Sequence, residues 1–111
     1  ALMITACAST PAPTARLQAA GQAIAAAQAA DASRHAAAEL GEAQARLASA
    51  NTAVQAGEME SAARLADESR VEAELATARA ASAKARMVND EMKRSTGTLI
   101  DEMQRNTGEP K

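Results

Sequence analysis

The chain has 111 residues, 33 of them alanine and none of them Phe, Tyr or Trp, and its 12 Lys and Arg stand against 14 Asp and Glu. Alanine is the strongest helix former, and the β-branched and aromatic runs that build strands are missing, so the composition predicts one all-α domain. It argues against nucleic acid as a partner, because the basic residues form no block and no aromatic ring offers a base a stacking platform.

At the start of the chain, Ile4-Thr5-Ala6-Cys7 has the form of a lipobox, the end of a bacterial lipoprotein export signal. A small residue just before the cysteine and an apolar one three before it suit a signal peptidase that cuts there, after which the thiol is acylated. Cys7 is the single cysteine, so it makes no internal disulfide. The stretch Ala8-Ser9-Thr10-Pro11-Ala12-Pro13 then has the composition of a tether. The alternative is a free cysteine that happens to follow Leu2, Met3 and Ile4. The sequence opens at Ala1, so the basic part and most of the apolar part of such a signal are expected upstream. The expected organisation is residues 1–6 as residual signal, 7–14 as lipidated tether, 15–105 as alanine-rich helical domain and 106–111 as disordered tail.

Thr14 is expected to cap a first helix over residues 15 to about 32, with Leu17 and Ile24 on one face. The small and polar run Asp31-Ala32-Ser33-Arg34-His35 suggests a turn, with one continuous helix as the alternative because neither Gly nor Pro enforces a break. A second helix is expected over residues 37 to about 56. There Leu40, Ala43, Leu47, Ala50 and Val54 recur at alternating spacings of three and four, which aligns them as a packing seam. Gly57 supplies a residue able to take positive φ, and Glu58 and Glu60 suit the positive end of a following helix. Together they predict a helical hairpin.

In the third predicted helix, residues 59 to about 94, the same rhythm runs through Ala66, Ser69, Ala73, Ala76, Ala80, Ala83 and Met87. So small a seam lets two helix axes approach closely, as an antiparallel contact with the second helix. This helix is too long for its partner and should overhang it. Ser95-Thr96-Gly97 is expected to kink or fray it, with Thr98 and Asp101 opening a short segment that carries Leu99, Ile100 and Met103. The fold class is therefore an antiparallel hairpin, or three-helix arrangement, with a long overhanging third helix. Beyond residue 14 only 15 Leu, Ile, Val and Met are available, so the core must be thin. Four acid-to-base pairs at helical spacing, Glu42 with Arg46, Glu60 with Arg64, Asp90 with Arg94 and Asp101 with Arg105, are expected on solvated faces.

The runs 38–47 (AELGEAQARL), 54–58 (VQAGE) and 63–69 (ARLADES), with Asn89-Asp90-Glu91-Met92, resemble the small envelope lipoproteins of domain-of-unknown-function 4398. That resemblance implies a lipid-anchored helical protein of a Gram-negative envelope. Some such proteins are joined to a peptidoglycan-binding domain, and no activity is attached to the shared helical part. The pattern departs at Ala37, where the family implies a proline.

Chemistry is sparse. His35 has Asp31 and Glu39 one helical turn to either side, but one imidazole with two flexible carboxylates is not a metal site. Glu72 with Glu74, and Asp67 with Glu68, fall on differing helix faces and suggest no paired-carboxylate acid and base. Met87, Met92 and Met103 are expected to pack. No catalytic residue, metal or cofactor is therefore expected. The function expected is a non-enzymatic outer-membrane lipoprotein, held at the periplasmic face through Cys7. It would act as a helical spacer or interaction module, its partner an envelope protein or a second copy. The alternative resembles murein lipoproteins, with Lys111 joined to peptidoglycan. A tetratricopeptide-like module would need several units where the chain offers at most one.

Overall fold

The computed structural model describes residues 10–108. Four helices follow in order: α1 (Thr14–Ala29), α2 (Ala32–His35), α3 (Ala37–Gln55) and α4 (Met59–Gly108). The described residues contain no strand. The first, second and third helices expected from sequence are α1, α3 and α4, with the one-turn α2 between the first two.

Thr14 is not the cap. Pro13 holds that position without a side-chain hydrogen bond, and Thr14 is the first helical residue. Proline lacks an N–H and has φ fixed near the helical value, so the chain turns into α1 without a side-chain acceptor. α1 also ends three residues before the expected limit, because Asp31 takes φ +68. Asp tolerates this left-handed conformation better than most residues, which is how the chain turns without glycine. Ala36 then adopts φ −149, separating α2 from α3.

The second turn is a complete Schellman motif. Gly57 takes φ +79, its N–H donates to the Val54 carbonyl at 3.1 Å, and the Glu58 N–H donates to the Ala53 carbonyl at 2.8 Å. Two carbonyls left open at the end of α3 are thereby satisfied. The Glu58 carbonyl accepts from the Ala62 N–H at 2.9 Å and starts α4.

α4 is the central strut. It packs most extensively against α3 and next against α1, while α1 and α3 touch each other less. Glu39 at the start of α3 pairs with Arg79, and Arg46 further along pairs with Glu68, so α3 runs antiparallel to α4. Arg16 at the start of α1 meets Asp67, and Ile24 and Ala27 cluster with Ala73, Ala76 and Ala80. α1 therefore runs parallel to α4, giving an up-down-up arrangement.

Alanine builds the core. Ala20, Ala27, Ala43, Ala50, Ala62, Ala66, Ala73, Ala76 and Ala80 are fully buried, and among the described residues the only large buried side chains are Ile24 and Leu40. Leu47, Val54 and Ala83 of the expected seams are half-buried at the rim, whereas Ala53 is buried in their stead. The small seam on α4 faces α3 and α1 as far as Ala80, and Met87, its next apolar position beyond Ala83, is exposed.

The expected break near Gly97 is absent. α4 continues for 50 residues, about 75 Å at 1.5 Å per residue. One helical glycine costs only about 1 kcal/mol, and restarting a helix carries its own nucleation penalty, so strong helix formers on both sides carry α4 through. Thr98 does not cap a new segment; its hydroxyl donates to the Arg94 carbonyl one turn back at 3.0 Å. Residues 106–108, expected in a tail, complete the last turn.

Candidate functional site

Every described residue beyond Lys84 is exposed, so the last 24 residues of α4 project from the bundle as a free rod about 36 Å long. On this rod Met87, Val88, Met92, Leu99, Ile100 and Met103 are 49–64% exposed. Val88, Met92, Leu99 and Met103 fall within about 60° of one another around the helix, and large apolar side chains so concentrated mark a contact surface more often than a scatter of single ones does. A shallow depression of about 560 Å³ runs along this face, lined by Val88, Met92, Ser95, Thr96 and Leu99 among others.

The apolar face does not continue the buried seam. Extended by threes and fours beyond Met87, the seam would pass through Asp90, Arg94, Gly97 and Asp101, all polar or glycine. The apolar positions are instead Val88, Met92, Leu99 and Met103, which lie about 120° around the helix from the buried seam. The face offered to solvent is distinct from the face that α4 gives to α1 and α3.

A second surface lies at the opposite end of the bundle. A groove of about 670 Å³ is lined by Arg16 of α1, Arg46 of α3, and Arg64, Asp67, Glu68 and Val71 of α4 among others. Glu68 accepts from Arg46 at 2.6 Å and from Arg64 at 3.2 Å, while Asp67 accepts from Arg16 at 3.1 Å. The groove's arginines are thus engaged with carboxylates, and the cluster clasps all three long helices together. Sequence spacing does not reveal this, because its main bonds join residues 22 and 51 positions apart. Of the four pairs expected within helices, Glu42 and Arg46 approach to 3.8 Å. Arg64 turns to Glu68 instead of Glu60, and Arg94 to Glu91 instead of Asp90. Asp101 and Arg105 form no ion pair among the described residues.

His35 is half-buried at the end of α2, separated from Glu39 by the break at Ala36, and the Glu39 carboxylate is taken by Arg79. Among the described residues no three His, Cys, Asp or Glu side chains are grouped to hold a metal ion. Among the described residues no helix is long and apolar enough to cross a membrane. Ile4, Thr5, Ala6, Cys7 and Lys111 lie outside the described residues.

The model of the family described as "Domain of unknown function (DUF4398)" matches residues 15–92, and the chain belongs to that family. The match spans α1 to α3 and the first part of α4, ending within the projecting rod. No curated protein and no solved structure matches the chain.

Proposed function

We propose that this member of the family is a non-enzymatic lipoprotein of the outer membrane, anchored through Cys7, whose helical domain serves as a spacer and interaction module in the periplasm. The observation that carries the reading is the geometry of α4. An alanine-packed bundle fixes one half of a 50-residue helix, and the other half projects with an apolar face. A clamped rod of this kind holds a contact surface at a set distance from the bundle.

The anchor rests on the sequence. Ile4-Thr5-Ala6-Cys7, followed by a small-residue and proline-containing tether, has the order that lipidation needs. Acyl chains contribute about 0.8 kcal/mol per buried CH₂, so two or three suffice for stable anchoring. The expected result of Cys7→Ser in the full-length precursor is loss of the protein from the membrane fraction. Unchanged recovery with the membrane would contradict the anchor. The Gly57 turn speaks against a single long parallel coil of the murein-lipoprotein kind.

A further inference from the structure

Four of the six large apolar side chains on the projecting half of α4, Val88, Met92, Leu99 and Met103, form with Ser95 and Thr96 between them a pattern that is its own mirror in spacing, while Met87 and Ile100 lie outside it. Val88, Met92 and Ser95 are separated by four and three residues; Thr96, Leu99 and Met103 follow at three and four. The six positions are symmetric about the midpoint between Ser95 and Thr96. At 100° per residue they occupy an arc of about 100°, one continuous helix face. From this we infer that the partner of this face is a second copy of the same chain, lying antiparallel, with the two-fold axis passing between Ser95 and Thr96.

A two-fold contact must be self-complementary: if one residue touches a second, the second touches the first across the axis. The spacing meets that condition. Val88 lies level with Met103 of the second copy, Met92 with Leu99 of the second copy, and the two smallest side chains meet at the centre. The shallow depression on the rod includes Ser95 and Thr96 in its lining, so the helices can approach most closely at the axis.

Length agrees with this placement. With the axis at that midpoint, Lys84 stands level with Thr107 of the second copy. The exposed rods therefore overlap along their whole length, and each ends where the other's bundle begins. The buried seam of α4 faces a direction about 120° away, so the second copy need not displace α1 or α3.

The area matches a reversible dimer. A fully buried Val, Leu or Met withdraws about 60 to 120 Å² of apolar surface, and two copies supply eight such side chains. With Ser95 and Thr96 at the centre and Ala85 and Ile100 at the flanks, the contact comes to the order of 1,000 Å², the lower bound for a specific interface. This names the partner of the interaction module proposed above and does not depend on the anchor.

The test is sedimentation equilibrium of the 111-residue chain carrying Cys7→Ser, over concentrations from about 1 μM to 1 mM, the range of weak association. The expected result is a monomer–dimer equilibrium. Met92→Lys or Leu99→Glu alone should weaken the dimer tenfold or more without changing helicity, since both side chains are already exposed in the single chain. The two substitutions together should restore it, because the new ammonium and carboxylate then meet twice across the axis. A chain that stays monomeric throughout overturns the inference. So does a dimer indifferent to both single substitutions, or a double variant as weak as the singles. None of these outcomes bears on membrane attachment, which the Cys7→Ser fractionation of the precursor tests separately.

Discussion

The Ser69 hydroxyl donates to the Ala43 carbonyl at 2.6 Å, a hydrogen bond from α4 to α3 made where Ser69 is completely buried. Among the described residues it is the one buried polar side chain, in a core otherwise built from alanine, Ile24 and Leu40. Removing it by Ser69→Ala should cost about 0.5 to 1.5 kcal/mol, the net worth of an ordinary hydrogen bond. Ser69→Leu keeps no bond and overfills the site, so it should cost at least 1 to 3 kcal/mol. Urea midpoints of the two variants check the order.

Glycines at two positions should respond in opposite directions. Gly57 needs φ +79, with open space around a would-be Cβ, so Gly57→Val suffers from backbone strain alone and should lose about 1 to 2 kcal/mol. Gly21 lies inside α1, also with nothing near its Cβ position, so Gly21→Ala should gain about 0.5 to 1 kcal/mol. Thermal melts followed by helix ellipticity would separate them; equal melting would show that the turn is misplaced.

The turn at Asp31 makes a related prediction. An aspartate at φ +68 carries a cost that glycine does not, so Asp31→Gly should stabilise the bundle slightly and Asp31→Val should destabilise it by about 1 to 2 kcal/mol. Thermal melts of both variants give the sign directly.

The alanine seam gives a third contrast. Ala76 and Ala80 are fully buried, whereas Ala78 is exposed on the far side of α4. Ala76→Leu and Ala80→Leu should each cost about 1 to 3 kcal/mol through overpacking, and Ala78→Leu should be nearly silent. Denaturant midpoints compare the three.

The hairpin, the small seam and the overhang were legible because each is written in local spacing or in a glycine. Gly57 falls between two periodic runs, and the rhythm from Ala66 to Ala80 predicts one face of α4. The break after α1 was only partly legible, because an aspartate supplies the left-handed residue that glycine usually marks. The clasp of Arg16, Arg46, Asp67 and Glu68 was not legible at all: three helices meet there, and residue spacing within one helix carries no information about another. Gly97 misled in the opposite sense, since a single glycine does not outweigh the helix formers around it.

Ser82 and Gln104 are both exposed on α4, one beside the bundle and one near the tip of the rod. Spin labels at these positions in the Cys7→Ser chain, diluted with unlabelled protein, test most directly whether α4 is the rigid rod on which the proposed function depends. An unbroken helix places the backbones about 33 Å apart, 22 residues at 1.5 Å each, and gives a narrow distribution near that value. A broad distribution centred well below it would mean that α4 breaks near Ser95 to Gly97, and that the contact surface is not held at a fixed distance from the bundle.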